Sequence, residues 1–161
     1  MDAAHAKALA IIEEAIYHEQ ASHDYYLRVA EAIHDASGSA QYRQLAQEEL
    51  HHREVLEERW HRLTGKRFHF DPSKVEEDEL PVPSTNATAI EALTLAMEHE
   101  QEAVEKYRHL IETAPDDESR RVYEQLAEDE RQHRDWFRDR RDALQQGVRW
   151  FVETLPGALD R

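Results

Sequence analysis

The stretch LAQEELHHREVL, Leu45–Leu56, decides how the chain is read. It holds two overlapping Glu-x-x-His pairs, Glu48 with His51 and Glu49 with His52. On a helix, residues three apart share a face, so either pair could offer an oxygen and a nitrogen to one metal ion. Helix geometry separates the two. At ~100° per residue with Leu45 at zero, Glu49 falls at about 40°, His52 at about −20° and Leu56 at about 20°, all within the apolar stripe. Glu48 lies at the margin of the stripe, at about −60°, and His51, at about −120°, faces away. A carboxylate set in an apolar stripe needs a compensating partner, because an unpaired buried charge is costly.

An internal repeat sorts the pairs independently. YRQLAQEELHHR at Tyr42–Arg53 recurs as YEQLAEDERQHR at Tyr123–Arg134, and YHEQ at Tyr17–Gln20 recurs as EHEQ at Glu98–Gln101, each shifted by 81 residues. Tyr26 falls on Tyr107 by the same shift. Glu-x-x-His occurs five times in this chain, so the pattern alone selects nothing. Moved by the repeat, Glu31/His34 falls on Glu112/Pro115, Glu48/His51 on Asp129/Gln132 and Glu58/His61 on Asp139/Asp142. Only Glu49/His52 falls on another such pair, Glu130/His133. Glu48 and His51 are therefore read as surface or boundary groups.

Glu19 and Glu100 interrupt the apolar stripes of two further helices at equivalent repeat positions, each 30 residues before its partner motif. Across a hairpin these positions are level to within about one or two turns. The candidate metal ligands are thus Glu19, Glu49, His52, Glu100, Glu130 and His133. One Glu from each of two helices plus a Glu-x-x-His from each of two others is the ligand set of di-iron and di-manganese carboxylate bundles. Four carboxylates neutralise two divalent cations, whereas without metal they would repel one another and bind protons. Imidazole with carboxylate suits iron, manganese or zinc better than calcium or soft copper. The same six residues could instead form a salt-bridged polar layer.

Around these motifs the periodicity predicts four helices, at about 4–34, 40–64, 88–113 and 118–146. Their inward faces carry Ile12, Ile16, Tyr26, Val29 and Ile33; Tyr42, Leu45, Leu56 and Leu63; Ile90, Leu93, Met97, Tyr107 and Leu110; and Val122, Leu126 and Phe137. HDASGSA, with Gly38, marks a short turn, so the first two helices are antiparallel neighbours. The segment at about 65–87, with Gly65, Pro72, Pro81 and Pro83, is not a continuous helix. Phe68, Phe70, Val75 and Leu80 suggest that it lies along the bundle as a crossover. The tail 147–161 is more apolar and could dock as a short extra segment; LPGALDR within it could be a docking peptide for a partner shell. The expected architecture is all-α: one domain, 1–161, a ferritin-like four-helix bundle of two repeated antiparallel hairpins joined by a long crossover.

Composition limits the chemistry. The absence of Cys removes disulfides, thiolate-bound zinc, iron–sulfur clusters and thiol catalysis. A net charge of −15 argues against a nucleic-acid partner and suits cations. No apolar run approaches the ~18 residues of a membrane span, and the start lacks a signal-peptide pattern, so a cytoplasmic protein is expected. There is no phosphate-cradling Gly loop and no nucleophile elbow.

The motifs HEQASHDYY with LAQEELHHR, and HEQEAVEKY with LAEDERQHR, resemble those of the rubrerythrin and ferritin-like superfamily. The resemblance covers both hairpins. It implies a di-iron centre in which Glu49 and Glu130 bridge the metals, Glu19 and Glu100 are terminal carboxylates, and His52 and His133 each cap one metal. It also implies oxidation of Fe(II) by dioxygen or hydrogen peroxide, with peroxide reduced to water; the donor chemistry keeps manganese or zinc as other occupants of the site. Two departures accompany it. Many rubrerythrins carry a four-Cys rubredoxin domain that delivers electrons; this chain has no Cys, so turnover would need an external electron donor. Rubrerythrins commonly carry a further Glu one turn beyond the third-helix ligand; here that position is Ala103 and its repeat mate is Ser22, which brings the site closer to a symmetric ferroxidase type.

Tyr26 and Tyr107 sit two turns from Glu19 and Glu100 on the same face, where they could hydrogen-bond a ligand carboxylate, donate single electrons, or simply fill the core. His18 and His99 precede the ligands but point ~100° away and are read as boundary residues. Arg53 and Arg134 are expected to pair with neighbouring acids, and Trp60, Trp136 and Trp150 to serve packing or an interface. Three functions remain open from sequence: an iron-dependent ferroxidase or peroxide scavenger, an iron storage or delivery subunit in a homodimer or higher oligomer, and a redox-inert metal-stabilised helical module.

Overall fold

The protein is represented by a computed structural model that describes residues 2–33, 36–77, 81–82 and 86–147. The expectations for Leu80, for Trp150 and for the tail beyond residue 147 lie outside the described residues. Four helices account for most of the rest: α1 (Ala3–Ala32), α2 (Ala36–Thr64), α3 (Asn86–Glu112) and α4 (Asp117–Gln145), with one 3₁₀ turn at Pro72–Lys74 in the crossover. No strand occurs among the described residues, as the periodicity predicts.

The helix boundaries have local causes. Asp2 caps α1, its carboxylate accepting the His5 backbone N–H at 2.8 Å. Asp116 caps α4 in the same way through Ser119 N–H at 2.7 Å, and Asp117 and Glu118 add negative charge where the helix dipole favours it. Gly65 ends α2 at φ 69°, the left-handed conformation of a helix C-terminal glycine, and its N–H donates to His61 O at 2.8 Å. One boundary departs from expectation. The second helix starts at Ala36, about one turn earlier than the Gly-containing turn suggested, so Gly38 lies inside its first turn and is buried. The ~1 kcal/mol helix penalty of a glycine is small beside the apolar burial that follows along α2, and Ser39 Oγ ties this first turn to Ala30 O at 2.8 Å.

Side-chain pairing fixes how the helices run. Ser39 with Ala30, His23 Nδ1 with Ala46 O (2.7 Å) and Arg53 with Gln20 (2.5 Å) make α1 and α2 antiparallel. Tyr107 with Glu19 and Tyr26 with Glu100 do the same for α1 and α3, and His52 with Asp129 and His133 with Glu48 for α2 and α4. The two helices of each hairpin lie closest together, whereas α1 with α3 and α2 with α4 make fewer close backbone approaches. The crossover lies along the outside of α1 and α2: Phe70 stacks on Tyr17 at 5.4 Å beneath the Arg53 guanidinium, and Phe68 packs edge-on against Trp60 at 5.1 Å. Farther along, Pro81 O accepts the Tyr25 hydroxyl at 3.0 Å.

The core is split in two, and the repeat relates the halves. One cluster holds Tyr26, Val29, Tyr42 and Leu45 of the first hairpin with Leu93 and Phe137 of the second. The other holds Tyr107, Leu110, Tyr123 and Leu126 of the second hairpin with Ile12 and Leu56 of the first. A shift of 81 turns the first set into the second, with Ile12 and Leu56 answering to Leu93 and Phe137. The helices therefore obey a pseudo-two-fold axis. Tyr123 is the buried member of the Val122–Tyr123 pair, as its repeat mate Tyr42 requires, while Val122 packs at the edge of the cluster. Each fully buried Leu, Ile or Phe contributes about 1.5–3 kcal/mol, enough to hold a polar layer between the clusters.

Candidate metal centre

Between the two apolar clusters lie Glu19, Glu49, His52, Glu100, Glu130 and His133, all buried. The sequence placed each of them on an inward stripe, and the fold brings all six together. Donor atoms of Glu19, Glu49, His52 and Glu130 lie within 4.8 Å of one another, and so do those of Glu49, Glu100, Glu130 and His133. Glu49 and Glu130 belong to both groups. His52 Nδ1 stands 2.9 Å from Glu130 Oε1, 3.3 Å from Glu49 Oε2 and 4.0 Å from Glu19 Oε2. His133 Nδ1 repeats this, 3.0 Å from Glu49 Oε1, 3.3 Å from Glu130 Oε2 and 3.9 Å from Glu100 Oε2.

The other ring nitrogens are held from outside. His52 Nε2 lies 3.1 Å from Asp129 Oδ2, and His133 Nε2 lies 2.6 Å from Glu48 Oε2. Glu48, expected at the surface or boundary, is half-exposed and also orients a histidine of the centre. Sequence reasoning assigned no role to Glu48 or Asp129. The signal was present, because they are repeat mates, both acidic, each one residue before a central Glu. His51 does face solvent, as its helical angle predicts.

The tyrosines cross between hairpins. The Tyr107 hydroxyl donates to Glu19 Oε1 and the Tyr26 hydroxyl to Glu100 Oε1, so each carboxylate of α1 and α3 is fixed by the opposite helix. Both tyrosines are buried, and burial together with the adjacent carboxylate raises them well above the usual phenol range. Arg53 and Arg134 reach Gln20 and Gln101, the residues that follow the terminal Glu positions, at 2.5 and 2.6 Å, besides pairing with Glu57 and Asp135. Trp60 and Trp136 pack against Phe68 and Phe137. His18 and His99, read as boundary residues, are half-buried and stack on one another. Burial, His99 and Lys106 lower His18 to about 3.

Electrostatics divide the six groups. Burial, reinforced by the facing Glu130 and Glu49 charges, raises Glu19 and Glu100 well above the ordinary carboxylate range. Burial and the facing Glu130 also oppose ionisation of Glu49, yet interaction with Glu19 and with the His133 cation brings it down to about 2. Glu130 is lowered likewise, burial being outweighed by Glu100 and both histidines. Burial disfavours charge on His52 and His133, but the surrounding carboxylates outweigh it and hold both well above the usual imidazole range. Protons are thus favoured on Glu19, Glu100 and the two imidazoles and disfavoured on Glu49 and Glu130. Three carboxylate oxygens, Glu19 Oε2, Glu49 Oε2 and Glu130 Oε2, are nevertheless buried with no hydrogen-bond partner. Buried polar atoms are seldom left so, and a pair of cations among them would supply what is missing. A cavity of about 490 Å³ on the α2/α4 face reaches His52 and His133 between Glu48 and Asp129.

Comparison with known proteins bears on the family and the fold. The family model described as Rubrerythrin matches residues 10–141. Among solved structures, a hypothetical protein from Pyrococcus furiosus is 23% identical, with TM-score 0.77 over 89% of this chain and 93% of that one. A dodecameric thioferritin, the bacterioferritin-related protein of Bacteroides fragilis, is 18% identical, with TM-score 0.75 over 94% and 93%. The Desulfovibrio desulfuricans bacterioferritin, described with its diiron site in different catalytic states, is 18% identical, with TM-score 0.71 over 91% and 84%. These likenesses establish the ferritin-like fold. No curated protein matches the sequence.

Proposed function

The chain belongs to the rubrerythrin family, and from that premise we propose that it is a di-iron carboxylate protein that oxidises Fe(II) with dioxygen or hydrogen peroxide. The observation that carries this reading is the pair of buried donor groups that share Glu49 and Glu130. In it, one metal would be held by Glu19, Glu49, His52 and Glu130 and the other by Glu49, Glu100, Glu130 and His133. When bound, the iron pair supplies two electrons, the number that converts dioxygen to hydrogen peroxide or hydrogen peroxide to two waters. Manganese or zinc would fit the same donors.

The chain's own residues do the rest. Asp129 and Glu48 hold the Nε2 edges of His52 and His133, which leaves Nδ1 of each ring facing the centre. Tyr107 and Tyr26 each fix one oxygen of Glu19 and Glu100 and leave the other turned inward. The apolar clusters on either side keep bulk water out, which strengthens every charge interaction inside. The cavity between Glu48 and Asp129 would give an oxidant its approach to the His52 and His133 side of the centre. With no Cys in the chain, electrons for a further cycle come from an external donor.

Anaerobic loading with Fe(II) followed by rapid mixing with dioxygen, and separately with hydrogen peroxide, tests the reading and ranks the oxidants. Fast formation of a ferric absorption band is expected, and Glu49→Ala or Glu130→Ala should abolish it. Unchanged rates in both variants would exclude this assignment. A second reading, a subunit of an iron-storing assembly, is supported by the dodecameric state of the Bacteroides fragilis relative. It predicts a large particle by light scattering and many iron atoms per chain.

A further inference from the structure

His18 and His99 stand one residue before Glu19 and Glu100 and are repeat mates. Their rings come from different helices and stack with centroids 3.9 Å apart and planes 14° apart. Ser22, buried on α1, places its Oγ 2.8 Å from His99 Nε2 and so orients that ring. Glu102, on the same face of α3 one turn beyond His99, completes a group: one donor atom from each of His18, His99 and Glu102 lies within 4.8 Å of the others. This group borders a cavity of about 530 Å³, whose wall also carries Glu13, Glu14 and Glu76. None of the three donors belongs to the dinuclear set.

We propose that His18, His99 and Glu102 form a separate mononuclear site for a borderline divalent cation such as Zn²⁺, Co²⁺ or Fe²⁺, with water from the cavity completing its coordination. Two imidazoles and a carboxylate are the donor chemistry such ions select over Mg²⁺ or Ca²⁺. Around a tetrahedral ion with bonds of ~2.0–2.1 Å the donors stand ~3.4 Å apart, so binding turns the two rings out of their stack until a lone pair of each meets the ion. Lys74 and Lys106 also line the cavity, but Lys74 is paired with Glu13 at 3.5 Å, and the acids outnumber the lysines. The site is single although the chain is a repeat. The two histidines straddle the pseudo-two-fold axis, while the position equivalent to Glu102 is Ala21.

Equilibrium titration of the full chain with Co²⁺ tests this separately from the dinuclear reading. The Glu49→Ala/Glu130→Ala variant should still bind one Co²⁺ per chain, and adding His18→Ala and His99→Ala should abolish it. In the otherwise unaltered chain, removing the two histidines should lower the count by one. Failure of the central-carboxylate variant to bind Co²⁺, or an unchanged count after loss of both histidines, would overturn the proposal. Should a variant fail to fold, anomalous scattering from Co²⁺-soaked crystals of the unaltered protein decides: a peak within bonding distance of a ring nitrogen of His18, a ring nitrogen of His99 and the Glu102 carboxylate supports the site, and its absence rejects it.

Discussion

Glu48 and Asp129 act through the histidines they hold. Replacing such a partner by an amide or alanine commonly weakens metal affinity about 10- to 100-fold while the ligands stay in place. Glu48→Ala and Asp129→Ala should therefore each lower affinity by that order in competition with a chromophoric chelator, with the number of metals per chain unchanged. Protons give a second test. Glu19, Glu100, His52 and His133 all have raised values, so a metal pair at these donors competes with protons. Affinity should then rise with pH, because groups with raised values release protons more readily as pH increases. Calorimetry in buffers of different ionisation enthalpy should show proton release on metal binding, and no release would contradict the assignment. The six donors were legible because charge in an apolar stripe is expensive and because the repeat marked them twice. Glu48 and Asp129 were marked only by being acidic repeat mates, and a half-exposed acid at a stripe margin looks like any solvated acid until the fold aims a histidine at it.

The helices follow their sequence signals closely, and their ends are where single changes report most clearly. At φ 69° Gly65 has nothing within 4 Å of where a Cβ would stand, so an alanine there meets only backbone strain. Gly65→Ala should cost about 1 kcal/mol, seen as a lower denaturation midpoint with metal stoichiometry unaffected. The start of α2 differs from its local signal because Gly38 reads as a turn residue, whereas burial along α2 outweighs that preference. The crossover was legible in outline: its prolines exclude a long helix, and its two phenylalanines had to cover something. What they cover, Tyr17 and the Arg53 guanidinium, is a tertiary pairing that no local pattern encodes.

For the molecule as a whole, the pseudo-two-fold axis relates apolar clusters, donors, tyrosine contacts and Arg–Gln pairs alike. Variants at equivalent positions should therefore behave alike: Tyr26→Phe and Tyr107→Phe should perturb the centre similarly, read as matching shifts in the ferric absorption band. Metal should also stabilise the fold, because it binds the native layer and relieves its unpartnered carboxylate oxygens. At free metal one hundred times the dissociation constant, the gain is about 2.7 kcal/mol per site, and chelation should lower the melting temperature correspondingly. The topology was legible from helix lengths and the 81-residue repeat, but the crossed tyrosines depend on how closely α1 approaches α3, which periodicity does not give. The most direct test of the central claim is the anomalous scattering of iron in crystals loaded with Fe(II) without oxygen. Two adjacent peaks are predicted, both flanked by Glu49 and Glu130, one bonded to His52 Nδ1 and the other to His133 Nδ1. A lone peak among the six donors, or none, would contradict the account.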